Sequence, residues 1–208
     1  MTKYGMAIDM RRCFGCKSCA VACKCENNLP DGVWWNQAKT VGGEVDDTPA
    51  GEAPSELSMK FFTFACQHCD KPACVEVCPT GASAKRDDGI VTVDYEACIG
   101  CKSCITACPY EGVRTYIDGE PAWFLDFAVG DIDAPAHRAN VVEKCTFCAH
   151  RIDRGERPAC VDICRAQARF WGDLDDPDSD VSRLLAEREY EQLLIENGTG
   201  PNVYLLKA

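Results

Sequence analysis

The sequence predicts an α+β protein built by internal duplication, with loop insertions and a C-terminal helical arm. Three observations predict this. Seventeen cysteines occur in 208 residues, and sixteen of them fall into four tight groups. The groups are of two kinds, and each kind occurs twice. Short stretches with strand-like or helix-like apolar spacing stand before and after the groups.

A hydrophobic fraction of 46% and a charged fraction of 26% are ordinary for a globular chain. The length suffices for one large or two small domains with a genuine core. The cysteines are not ordinary, and at this density they imply disulfides, metal or redox clusters. A formal charge of −11 argues against nucleic acid as a partner, because phosphate repels an acidic surface.

Group one is Cys13, Cys16, Cys19 and Cys23, and group three is Cys98, Cys101, Cys104 and Cys108, both spaced C-x2-C-x2-C-x3-C. Their segments nearly coincide, CFGCKSCAVACK against CIGCKSCITACP. Group two is Cys66, Cys69, Cys74 and Cys78, and group four is Cys145, Cys148, Cys160 and Cys164, sharing PACVEVC and PACVDIC. Three cysteines at this spacing wrap one face of an iron–sulfur cubane, and the fourth, a turn further on, ligates a second cluster, as in the bacterial ferredoxin run. Four motifs therefore predict two exchanged pairs of [4Fe–4S] clusters, each oxidised cubane adding a charge of roughly −2. Pro79 and Pro109 follow Cys78 and Cys108, whereas Lys24 and Arg165 follow Cys23 and Cys164. This shared departure favours pairing two with three and one with four, and spacing alone leaves the sequential pairing open.

Structural zinc also uses C-x2-C pairs, but zinc ribbons rarely place four cysteines in so short a run. A disulfide scaffold would call for a secretory signal, and none is visible. Cys25 is left over and reads as a buried or idle thiol, with a spare ligand as the rival reading. His68, within C-Q-H-C, is not needed as a ligand where four cysteines complete the site. His150, Arg151, Arg154, Arg157, Arg165 and Arg169 form a basic cluster around group four. It reads either as a solvated face with ion pairs or as positive charge that raises a cluster's potential.

Along the sequence, Tyr4, Met6 and Ile8 alternate as a strand into group one, and Ser18 to Asn27 reads as the helix after it. Asp88-Gly89 turns into a strand from Ile90 to Val93. Val113 to Ile117 is a candidate matching strand after group three, and Ala168 to Trp171 plays that part after group four. Pro72 and Pro158 precede short cysteine helices, where a missing N–H costs nothing. Two insertions interrupt the repeat, 31–59 with Trp34, Trp35, Gly42-Gly43 and Asp46-Asp47, and 119–135 with Trp123, Phe124 and Phe127. Their aromatics suit either a partner interface or a shield over clusters. The expected domains are module A, 1–30 plus 136–175; module B, 60–118; and an arm, 176–208, helical from Asp180 to Asn197 with Gly198 as its stop. No apolar run approaches the ~20 residues of a membrane span. Arg11-Arg12 lacks the apolar segment of a twin-arginine signal. Location is left open between the cytoplasm and export in the folded state with a signal-bearing partner.

The motifs MAIDMRRCFGCKSCAVACK, CQHCDKPACVEVCPTGA, GIVTVDYEACIGCKSCITACPYEGV and KCTFCAHRIDRGERPACVDIC, with GDLDDPDSDVSRLL and GTGPNVYLL near the end, resemble the four-cluster electron-transfer subunits of the dimethyl sulfoxide reductase family of molybdopterin oxidoreductases. The likeness covers nearly the whole chain, inserts excepted, and Arg165 departs from the proline of many relatives. The resemblance implies duplicated 2[4Fe–4S] ferredoxin modules in which groups one and four share a pair, as do two and three. It implies Cys13, Cys16, Cys19 and Cys164 around cluster 1, and Cys23, Cys145, Cys148 and Cys160 around cluster 2. Cys66, Cys69, Cys74 and Cys108 would hold cluster 3, and Cys78, Cys98, Cys101 and Cys104 cluster 4. It further implies a large catalytic partner with molybdopterin guanine dinucleotide, often a membrane anchor or quinone link, and no catalysis by the present polypeptide itself. The loop CENNLPDGVWWNQ looks closer to arsenate, polysulfide or aromatic-type subunits than to those of formate dehydrogenases. A freestanding soluble polyferredoxin carrier is the alternative, disfavoured by the long inserts because a carrier needs small, weak interfaces.

Overall fold

The structure, a computed structural model, describes residues 2–42 and 47–207, so Gly43 and Asp46 of the first insertion lie outside the described residues. Among the described residues, ten short strands and six short helices alternate with the four cysteine groups. β1 (Tyr4–Asp9) enters group one and α1 (Ser18–Glu26) leaves it. β2 (Asn36–Thr40) and β3 (Phe61–Ala65) form an antiparallel hairpin that delivers group two, which carries α2 (Ala73–Glu76). β4 (Ser83–Lys85) pairs with β5 (Val91–Val93), which delivers group three and α3 (Ser103–Thr106). β6 (Arg114–Tyr116) pairs with β7 (Val142–Lys144), which delivers group four with α4 (Ala149–Ile152) and α5 (Ala159–Asp162). β8 (Arg169–Asp173), leaving group four, pairs antiparallel with β1. Strand pairing thus runs in a ring, linking each group to the next and the last to the first.

The expected strand at 113–117 is present as β6, but its partner is β7. β5 pairs instead with β4, a strand that the apolar pattern does not single out. The expected helix from Asp180 to Asn197 is shorter: α6 (Asp180–Glu187) ends where Arg188 turns extended, φ −129° and ψ 147°. A tertiary contact explains the break, since the Arg188 guanidinium reaches the Asp9 carboxylate and the Lys207 carbonyl. The chain then forms β9 (Tyr190–Glu191), a 3-10 turn at Ile195–Asn197 that Gly198 follows at φ 67°, and β10 (Val203–Leu206). β10 lies parallel to β1 inside a four-stranded sheet of order β8-β1-β10-β9, so residues 176–207 complete the body's main sheet.

This sheet explains why β1 is buried on both faces rather than alternating. Met6 and Ile8 pack on Phe147, Ile152, Val161 and Leu205 toward the cysteines. Ala7 meets Val181 and Leu206 under α6. The two insertions are also partly absorbed. β2 pairs with β3, and the 119–135 segment docks on the end of α1, where Trp123 Nε1 donates to the Asn28 carbonyl at 2.7 Å and Asp131 N–H to the Glu26 carbonyl at 3.0 Å. Among the described residues no helix is long and apolar enough to cross a membrane.

Candidate metal centres

Cys13, Cys16 and Cys19 line one cavity together with Cys164. Cys23 lies in the neighbouring cavity with Cys145, Cys148 and Cys160. Cys78 shares a third with Cys98, Cys101 and Cys104. Cys66, Cys69, Cys74 and Cys108 gather at a fourth place, where Cys69 and Cys108 both feel the charge of Cys66 and Cys74. Helix packing follows the same division, α1 on α5 and α2 on α3. The gatherings form a row: Cys66 also borders the Cys145 cavity, and Cys74 packs in one apolar cluster with Cys104.

Local conformation brings the thiols together. Gly15 and Lys17 take φ of 72° and 59°, and Gly100 and Lys102 take 66° and 63°, so the two C-x2-C-x2-C loops turn alike before their helices begin. Gly15 has a second reason to lack a side chain, because a Cβ there would lie 2.4 Å from the Phe61 ring. Pro72 and Pro158 stand extended at the starts of α2 and α5. Backbone N–H groups aim at sulfur: Ser83 at Cys78 (3.3 Å), Phe147 at Cys145 (3.4 Å) and Ala168 at Cys164 (3.3 Å).

Burial sets the thiol acidities. It pushes Cys145 up to about 12 and Cys108 up to about 11, with neighbouring sulfurs adding to the rise. Cys23 is driven well up by burial and then by Cys145, Cys148 and Cys160. Hydrogen bonds from Ser18 and Ser103 draw Cys16 and Cys101 down. Burial of Cys23, Cys108 and Cys145 favours the protonated thiol, and bound metal would displace that proton. A donor set of sulfur alone, with N–H groups turned to the sulfurs, fits an iron–sulfur cluster.

The remaining candidates separate clearly. Cys25 is exposed rather than buried and joins none of the gatherings; it borders a groove with Trp123, Phe124 and Phe127. His68 is buried, its Nδ1 accepts from the Val91 N–H at 3.1 Å, and its ring stacks on Phe147 at 3.6 Å, which makes it a packing residue. Burial, then Lys144 and Arg114, holds its pKa well down. The basic cluster divides. Arg151, Arg154 and Arg157 pair with Glu26, Glu156, Asp131, Asp133 and Asp162 at or near the surface, His150 meets Glu26 in a largely buried contact, and Arg165 is exposed. Arg169 alone is buried against the cysteines. Trp35 is buried in the Cys145 cavity wall, as the shielding reading expects, whereas Phe124 is 92% exposed and shields nothing. Sequence reasoning missed Arg114 and Lys144, both buried in strands beside the cysteines. Only their place in short strands next to cysteine groups could have flagged them.

Two family models match the chain: a 4Fe–4S dicluster domain over residues 57–120 and 132–174, and a 4Fe–4S binding domain over 11–32. A Halobacterium salinarum protein named as an iron–sulfur subunit of dimethyl sulfoxide reductase is 49% identical over 99% of this chain and 79% of its own. The arsenate respiratory reductase iron–sulfur subunit of Shewanella sp. is 37% identical over 99% of this chain and 97% of its own. A polysulfide reductase polypeptide of Wolinella succinogenes is 36% identical over 98% of this chain and 94% of its own.

Proposed function

We infer the role from one premise: the protein belongs to the iron–sulfur subunits of the dimethyl sulfoxide reductase family, and it transfers electrons without being the catalytic subunit. The cofactors assigned to it are four [4Fe–4S] clusters, which supply one-electron storage when bound. Cys13, Cys16, Cys19 and Cys164 hold the first, and Cys23, Cys145, Cys148 and Cys160 the second. Cys66, Cys69, Cys74 and Cys108 hold the third, and Cys78, Cys98, Cys101 and Cys104 the fourth. Residues 1–30 with 136–175 and residues 60–118 are the two duplicated ferredoxin modules. One end of the row serves a large catalytic subunit carrying molybdopterin guanine dinucleotide, and the other a membrane anchor or quinone link.

The observation that carries this reading is the exposure profile of the row. Cys16 and Cys101, in the two outer gatherings, are exposed, and neither inner gathering has an exposed cysteine. Phe14 and Ile99, each one residue past the first cysteine of its motif, stand out beside them at 60% and 65% exposure. A row enclosed in the middle and open at both ends suits a relay between two fixed partners. The protein's own residues bind iron through sulfur, donate N–H groups to the sulfurs, and exclude water with Ile8, Trp35 and Phe147.

Anaerobic purification should yield about 16 iron and 16 sulfide per chain, absorbance near ~400 nm, and a co-purifying molybdenum-containing large subunit. A colourless, zinc-rich protein would overturn the cluster assignment. A stable monomer that reduces unrelated acceptors would replace the fixed relay by a diffusing carrier.

A further inference from the structure

Arg169 borders both the Cys13–Cys164 cavity and the Cys23–Cys160 cavity. Thr63 also lies in both walls, and its hydroxyl accepts from Arg169 Nη1 at 2.7 Å. A second nitrogen points at the sulfur of Met6 at 3.0 Å, and Nε has no hydrogen-bond partner. No carboxylate pairs with this buried guanidinium among the described residues; the charges it meets are the sulfurs of Cys160, Cys19, Cys145 and Cys164. Arg114 stands the same way in the other half. It is buried, donates from Nη1 to Ser83 Oγ at 3.3 Å, leaves Nη2 without a partner, and meets the sulfurs of Cys74, Cys66, Cys104 and Cys108. Each arginine therefore lies between two gatherings that share a pair.

Duplication does not account for the second arginine. Arg169 follows Cys164 by five residues, and the position five past Cys78 is Ser83, the group that Arg114 bonds. One arginine per pair has been reached from two different motifs. An unpaired guanidinium in a dry interior is costly unless negative charge stands beside it, and pairs of clusters with thiolate ligands supply that charge. Reduction adds one further negative charge to a cavity, and a fixed positive charge beside it makes that addition easier.

We propose that Arg169 and Arg114 are positioning residues that each set the potential of both clusters in one pair, independently of the other pair. The inference rests on the ligand sets proposed above. The test uses the intact chain with its partner, loaded anaerobically, and follows all four midpoints by electron paramagnetic resonance during a redox titration. Arg169→Met should move two midpoints to more negative values and leave two in place. Arg114→Met should move the complementary two, and Arg169→Lys should return most of the first shift. Iron and sulfide content separates the two ideas: fewer than four clusters in the unsubstituted chain defeats the ligand reading. Four clusters with unmoved midpoints in a fully loaded Arg169→Met defeats this one. So does movement of the same two midpoints by both methionine variants. Should Arg169→Met fail to load, Arg114→Met decides: a shift confined to two midpoints supports the proposal, and a uniform shift or none overturns it.

Discussion

An inner and an outer gathering of the cysteine row are enclosed to different degrees. Cys23, Cys148 and Cys160 lie under the four-stranded sheet, with Met6, Ile8 and Val203 in the same wall and Trp35 closing it. Around Cys78, Cys98, Cys101 and Cys104 the cover is the β4–β5 hairpin, with Ile99 exposed at the rim. Similar motifs thus sit in unlike surroundings. Spacing delivers the sulfurs, while strands far away in sequence decide how dry the sulfurs become. The lesson is that β10 and the residues Trp35 and Asn36, which carry no ligand, set the inner gathering apart from the outer one.

The contrast can be broken most severely at Cys23. Cys23→Ser should cut iron from about 16 to about 8 per chain, because it strikes the enclosed core shared by groups one and four. Cys101→Ser, at the open rim, should leave about 12, read by iron and sulfide analysis. Removing one partner of the Asp9–Arg188 pair comes next. Burial alone would raise Asp9, but the Arg188 hydrogen bond and the Arg11 N–H outweigh it, and its pKa is lowered. The stability it confers is complete above the ordinary carboxylate range and fades as pH falls through the lowered value. Arg188→Met should cost about 2 kcal/mol at neutral pH, loosening the ends of α6 and β10 against β1, and thermal loss of the visible absorbance would measure it.

A smaller effect is expected at His137, which joins Glu143 and the Asn27 carbonyl at 2.8 and 2.7 Å. Both ring nitrogens face acceptors, an arrangement that favours the protonated ring. Burial pulls it down, Glu143 outweighs burial, and the pKa is raised. Its contribution is complete below the ordinary histidine value and is lost as pH rises through the raised one. His137→Gln should cost about 1 kcal/mol at pH 6 and little at high pH, with amide exchange quickening first around Asn27 and residues 119–135. The least effect belongs to Arg154→Ala. Its ion pairs with Asp131, Asp133 and Glu156 lie at the surface, so neither melting temperature nor any midpoint should move measurably.

How far the sequence carried depended on the range of the interactions. The strand at Tyr4–Asp9, the helix from Ser18 and the proline-led cysteine helices are written in neighbouring residues, and all are present. The partner of β6, the early end of α6 and the insertion of β10 beside β1 depend on contacts across much of the chain. Periodicity carries no record of such contacts. At the centres, the four motifs were legible from their short spacings, whereas spacing left open which motif meets which across the chain. The split of the basic cluster was not legible either. Arg169 and Arg165 are the same residue type four positions apart, and only the wall of β1, β3 and β8 turns one inward.

The ring of strand pairing also sets an order on biosynthesis. Cys13, Cys16 and Cys19 leave the ribosome well before Cys164, the fourth thiol of their cavity, and β1 gains its neighbours only with β8 and β10. The groups at the middle of the chain can close on one another while translation continues. The earlier thiols must wait for group four and β8, so a polypeptide truncated before Cys164 leaves the ribosome with the Cys13 motif still open.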